Sequence, residues 1–238
     1  YTIDADASPA NLDWDRFLGP ATPVPFSKER YFRWRRYWDY SGGIATDLYV
    51  HHITPLIKVT GPEYPVWVTA AGGHFQFSSD ALEVPDTFMM TIHFESNHTM
   101  MVGGSLANTA ELPIVVRGHE ANIFFHGRDQ RRPAFLHIVP EPPFEESFRE
   151  KIIASGLEGE WQELPPDETH DDFRTVYRID ARETETFREN FLRCVRERTT
   201  PVLNGALGYM AQVAVSLGVD AYRQDRVMYF DPVNQTVV

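Results

Sequence analysis

A chain of 238 residues with 42% hydrophobic, 13% aromatic and 24% charged residues has the makeup of a folded globular protein, which excludes the disordered and fibrous classes. Its 22 Lys and Arg against 34 Asp and Glu leave a formal charge of −12, so a nucleic-acid backbone has no electrostatic reason to approach. One cysteine, Cys194, excludes an internal disulfide framework, and no run reaches the ~20 apolar residues that a membrane-crossing helix needs.

The sequence opens Tyr1-Thr2-Ile3-Asp4 without initiator Met, basic leader or apolar run, so either a leader was removed or, the favoured expectation, the chain is cut from something longer. Residues 1–30 carry Pro9, Pro20, Pro23 and Pro25 and read as an extended arm with one short helical turn near residues 12–17. Residues 31–238 are then expected to form a single domain. It begins with a strip, Tyr31-Phe32-Arg33-Trp34-Arg35-Arg36-Tyr37-Trp38-Asp39-Tyr40, that runs into Ser41-Gly42-Gly43. From Ile44 to about Thr60 the apolar spacing fits a helix, which Pro55 should kink or end. Between residues 64 and 139 the period changes to two, as in Val66/Val68/Ala70 and Phe88/Met90/Ile92/Phe94. Closely spaced glycines there predict antiparallel hairpins in place of parallel crossovers.

Residues 140–172 are rich in Pro and acid around a helix-like run at 144–153 and read as a surface excursion. Thr186 with Glu189 makes a capping box for the next helix. A further apolar stripe from Leu203 is expected to stop at Gly218, before a short closing strand from Arg226 to Phe230. The fold class is therefore α+β: an open, predominantly antiparallel sheet with helices on one face. Met89, Met101 and Phe124, if exposed on the other face, would make an apolar surface that calls for a homodimer or homotetramer.

The segment from Ser41 to His51 carries the chemistry. Asp47 and His51 are four apart, so on a helix they share a face; the carboxylate can set the imidazole's tautomer and raise its basicity. Gly42 and Gly43 ahead of them would let a flat substrate come close. The same residues also fit a plain structural role, with Asp47 favoured by the helix dipole and His51 a half-buried histidine. Arg33, Trp34, Arg35, Arg36, Tyr37 and Tyr40 suit a sugar-binding strip, since aromatics stack on sugar rings and guanidinium groups bond hydroxyls or carboxylates. Ordinary packing with solvated arginines is the competing account. His52 falls on another helix face, structural or at a cleft rim. No metal is expected, because nine histidines include no His-Glu-x-x-His and no paired Cys. The pair Gly103-Gly104 opens no helix and is a poor phosphate cradle.

The segment 41–51 resembles the Gly-Gly-Gly-x-x-x-Asp-x-Gly-x-His signature of the glucose-fructose oxidoreductase/inositol dehydrogenase (Gfo/Idh/MocA) family. Leu12-Asp13-Trp14-Asp15-Arg16-Phe17-Leu18-Gly19-Pro20, the Trp34 to Tyr40 run, Arg117-Gly118-His119-Glu120-Ala121 and the close at Asp231-Pro232 are similar to further parts of it. The resemblance implies the family's C-terminal, dihydrodipicolinate reductase-like domain, with His51 as acid/base oriented by Asp47. It also implies a sugar, cyclitol or glycoside hydroxyl as substrate, and NAD or NADP held mainly by an N-terminal Rossmann domain that this chain lacks. Ser41, Tyr49 and Thr54 depart from the signature. Tyr49 stands where Gly is usual and would narrow the pocket, so it joins His52 and the strip as an expected substrate contact. A cytoplasmic location is favoured, or a periplasmic one if an export signal preceded the chain. Two rivals remain: a stand-alone ligand-binding or oligomerisation module, and a cofactor-free isomerase, lyase or hydrolase on glycosides.

Overall fold

The computed structural model describes residues 2–77, 82–110, 112–127, 134–166, 172–182 and 184–238. Two short helices, α1 (Trp14–Leu18) and α2 (Lys28–Phe32), precede a 3-10 turn at Trp34–Arg36, a π-helical stretch at Ala45–Tyr49 and α3 (Val50–Thr60). Strands β1 (Pro65–Gly73), β2 (Thr87–Phe94), β3 (Thr99–Ser105), β4 (Val115–Arg117), β5 (Ala121–His126) and β6 (Phe135–Pro140) follow. Then come α4 (Glu145–Ser155), β7 (Glu160–Leu164), β8 (Arg174–Asp180), α5 (Phe187–Glu197), α6 (Gly205–Gln224), β9 (Met228–Asp231) and β10 (Thr236–Val237).

The α+β class holds, and among the described residues every strand pairs antiparallel, but the strands divide between two five-stranded sheets. The chain forms two compact units, Tyr1–Ala110 with Arg198–Val238, and Glu111–Glu197. The first holds the sheet β10-β9-β1-β2-β3 and the second β4-β5-β6-β8-β7.

In the first unit, alternation along β2 turns Phe88, Met90, Ile92 and Phe94 inward, all buried. The apolar faces of α6 and α3, including Ala214, Leu217, Ile53 and Ile57, cover them. Burying each such large side chain contributes about 1.5–3 kcal/mol. The helix α6 runs past Gly218, where the apolar stripe was expected to stop. A Cβ at Gly218 would lie 3.0 Å from the Met90 sulfur, so this glycine permits close packing of helix on strand and does not end the helix. The end comes at Asp225, in the left-handed conformation at φ 49°. At the other terminus the Asn204 side chain accepts from the Leu207 N–H at 3.1 Å.

Beneath the second sheet, α4 sets Ile152 and Phe148 against Ile138, Tyr177 and Trp161. The region expected as a surface excursion thus supplies both α4 and an edge strand, β7, whose Glu160-Trp161-Gln162-Glu163-Leu164 run is too polar to announce itself; residues 167–171 of it lie outside the described residues. The capping box forms as expected, with the Thr186 N–H donating to Glu189 at 2.7 Å and the Glu189 N–H to Thr186 Oγ1 at 3.2 Å. The hairpin at Arg117-Gly118-His119-Glu120-Ala121 also forms, joining β4 to β5.

Candidate functional site

The expected site residues all fall in the first unit. Residues 45–60 form continuous helical backbone in two registers: a π-helical turn at Ala45–Tyr49, then α3, which runs through Pro55. Pro55 does not end the helix, but it has no N–H to offer the His51 carbonyl one turn back. Single π turns inside helices are frequent at functional sites.

Asp47 sits in that π turn and His51 in the first turn of α3, where its imidazole is exposed. No hydrogen bond or ion pair joins them among the described residues. The Asp47 carboxylate is taken instead by Arg35, whose Nε donates to Oδ1 and Oδ2, each at 3.1 Å. The permanently charged guanidinium outcompetes a neighbouring imidazole for it. Arg35 also stacks over the Trp34 ring, 4.2 Å from its centroid. Trp34, Arg35, Asp47 and the start of α3 are therefore brought together, and His51 stands one turn beyond.

The rest of the strip is knotted into ion pairs and packing. Arg33 and Arg36 both donate to Glu29, at 3.0 and 3.1 Å. Arg30 bonds Asp39 and Glu83 and lies over the Tyr37 ring. Tyr37 is buried, and Tyr40 packs against Phe17 and Tyr37. The expectation that Tyr49 contacts substrate is corrected: it is 3% exposed, and its hydroxyl donates to the Phe88 carbonyl at 2.5 Å. Burial pushes that phenol's pKa well up. Tyr49 is a core residue that ties the π turn to β2. His52 is half-buried.

The glycines before the helix serve packing. A Cβ on Gly42 would fall 2.4 Å from Thr46 Cγ2 and 2.8 Å from Val219 Cγ2. Gly43 adopts φ +65°, and a Cβ there would meet Val84 at 2.9 Å. Gly103 and Gly104 lie inside β3, in extended backbone that cannot cradle a phosphate.

Asp86, which sequence reasoning passed over, is fully buried. Its Oδ2 accepts from the backbone N–H groups of Phe75, Gln76 and Phe77 at 2.8–3.0 Å, and Oδ1 from the Thr87 hydroxyl at 2.9 Å. These bonds, Phe77's foremost, outweigh burial and hold its pKa at about 2. Nothing in its local pattern marks it out, because its partners come from the other side of a loop.

In the second unit His126 and His137 have ring centroids 4.6 Å apart. Their Nε2 atoms are buried without a hydrogen-bond partner among the described residues.

A hollow of about 620 Å³ opens at the arm, lined by Asn11, Asp13, Trp14 and Phe26 among others. It contains neither Asp47 nor His51. Among the described residues no group of three or more His, Cys, Asp or Glu could hold a metal ion, and no helix is long and apolar enough to cross a membrane.

A family model described as the oxidoreductase family, C-terminal alpha/beta domain, matches residues 21–230. No curated protein matches. Among solved structures the chain is similar to an NAD-binding protein from Listeria innocua, at 19% identity and TM-score 0.56, over 88% of this chain and 56% of that one. It is similar to an aldose-aldose oxidoreductase from Caulobacter crescentus complexed with glycerol, at 16% identity and TM-score 0.57, over 92% and 58%. A third is an oxidoreductase from Agrobacterium radiobacter in complex with NAD+, L-tartaric acid and magnesium, at 10% identity and TM-score 0.50, over 79% and 49%. The chain spans about half the length of these structures, and at such identities the likeness is one of fold.

Proposed function

Because the chain belongs to the Gfo/Idh/MocA oxidoreductase family as its C-terminal alpha/beta domain, we propose that it is the substrate side of an NAD(P)-dependent oxidoreductase acting on a sugar, cyclitol or glycoside hydroxyl. The observation that carries this reading is the exposed imidazole of His51, four residues along continuous helical backbone from a carboxylate held in place by Arg35. In the oxidative direction His51 accepts the hydroxyl proton, and in the reverse direction it returns it. A nicotinamide coenzyme supplies the hydride chemistry; the glycines here make no dinucleotide cradle, so a separate nucleotide-binding domain holds it.

Among the similar structures, one is an NAD-binding protein, one an oxidoreductase in complex with NAD+ and one an aldose-aldose oxidoreductase, which supports the choice of coenzyme and substrate class. The outward face of the first sheet supports self-association. There Met101 is 84% exposed, diagonal to the exposed Met89 on the next strand, and Tyr229 is exposed on β9. Exposed apolar groups on one sheet face suit an interface between copies.

Two measurements test the proposal. Titrating NADH or NADPH into this chain should give no saturable binding, and micromolar binding would contradict a separate nucleotide domain. In the complete oxidoreductase, screened with NAD+ or NADP+ on a panel of aldoses and cyclitols, His51→Asn should lower kcat by at least ~100-fold, the scale of a lost acid/base group. Unchanged turnover would end the acid/base reading.

A further inference from the structure

Asp47 has two candidate partners, Arg35 and His51, and the structure gives it to the one farther away in sequence. Arg35 reaches it with one nitrogen bonded to both carboxylate oxygens, while no bond runs to His51. The neighbouring arginines turn elsewhere: Arg33 and Arg36 to Glu29, Arg30 to Asp39 and Glu83. Arg35 is also held from behind. Its guanidinium lies on the Trp34 ring, and both residues stand on the 3-10 turn whose Arg36 carbonyl accepts the Glu83 N–H at 2.8 Å and the Val84 N–H at 3.3 Å.

A half-exposed carboxylate on a π turn would otherwise sample several rotamers, each presenting a different charge to the next turn of helix. A stacked, planar guanidinium removes that freedom, because its donors point in set directions. The value of a carboxylate to a histidine base lies in where the negative charge sits as the imidazole gains its proton.

Building on the acid/base reading of Asp47 and His51, we propose that Arg35 is a positioning residue, which fixes the Asp47 carboxylate beside His51 and does not itself bind substrate. The sequence assigned it to a sugar-binding strip. Its engagement with Asp47 places it behind the reacting groups.

The test has a structural arm and a kinetic arm. In the 15N-labelled 238-residue chain, the Arg35 Nε–H signal should exchange with water at least tenfold faster in Asp47→Asn than in wild type. An unchanged rate would show the contact absent in solution and overturn the proposal without altering Arg35. In the complete oxidoreductase, assayed with the aldose or cyclitol turned over fastest, Arg35→Lys should lower kcat at least tenfold and leave KM within twofold. Millimolar guanidinium chloride should restore part of the loss in Arg35→Ala. Placed on top of Asp47→Asn, Arg35→Lys should cost less than twofold more. A raised KM with kcat retained would make Arg35 a substrate ligand, and independent losses in the double variant would separate it from Asp47; either overturns the proposal. Turnover unaffected by Asp47→Asn itself would overturn the acid/base reading and this inference together, whereas an impaired Asp47→Asn beside normal Arg35 variants overturns this inference alone.

Discussion

Replacing Asp86 by Asn removes a negative charge from a site with no solvent access and leaves the shape of the side chain intact. In the wild type that charge receives three backbone N–H bonds and one hydroxyl. The carboxyl is held at about 2 against an ordinary 3.8, so its ionisation stabilises the folded state over the unfolded one by about 2 kcal/mol at neutral pH. The folded pKa lies below the unfolded one, so this stabilisation is complete above the unfolded value and drains away as pH falls through the folded one. About 1 kcal/mol of it should remain at pH 3. Urea unfolding followed by tryptophan fluorescence reads the right unit, since Trp14, Trp34, Trp38 and Trp67 lie in it. Asp86→Asn should cost about 2 kcal/mol at pH 6, and the gap from wild type should narrow by about half at pH 3. A gap that is the same at both pH values, or below about 0.5 kcal/mol at pH 6, would refute the reasoning, because charge-assisted bonds to Asp86 would then not be what anchors the loop.

Tyr49→Phe should cost about 1 kcal/mol in the same assay, the net worth of its bond to the Phe88 carbonyl; no loss would return Tyr49 to the candidate substrate contacts. His126 and His137 both titrate below the usual histidine value, each chiefly through burial; Arg178 adds to this for both, and His126 itself for His137. The unfolded chain therefore takes up protons first, and the second unit should lose stability as pH falls below about 6.5. Hydrogen exchange of β5 and β6 amides at pH 7.5 and 5.5 should show it, and an equal response in His126→Gln/His137→Gln would exclude these two as the cause. Met89→Glu/Met101→Glu should convert the proposed oligomer to monomer in sedimentation velocity; a monomeric wild type would remove the sheet face as an interface.

The period-two runs in β1 to β3 and the capping box at Thr186 were readable because each pattern is local and is enforced by one buried face or one reciprocal pair of bonds. Two sheets in place of one were not readable, since alternation tells which face a residue takes and not which strand lies alongside. Gly218 misled for a related reason: a glycine that allows close packing and one that ends a helix look alike in sequence. At the site, the spacing of Asp47 and His51 was visible, and so were the residue types of the aromatic and arginine strip. That Arg35 would claim the carboxylate was not, because it depends on how a 3-10 turn folds back on a π turn twelve residues away. Tyr49 occupies a position that the family signature leaves to glycine, and only the depth of the core shows that its ring points inward.

The division of the chain also has a consequence for its synthesis. Residues 111–197 form a continuous unit, whereas the first unit is completed only by residues 198–238. The central helix of that later segment covers β1 and β2. At ribosomal speeds of about 5–20 residues per second, the inserted stretch delays its arrival by on the order of 5–15 s. The inserted sheet can close as soon as it emerges, while the earlier hairpins wait with their buried face covered by α3 but not yet by α6. Nascent chains of this protein should be most vulnerable to aggregation in that interval.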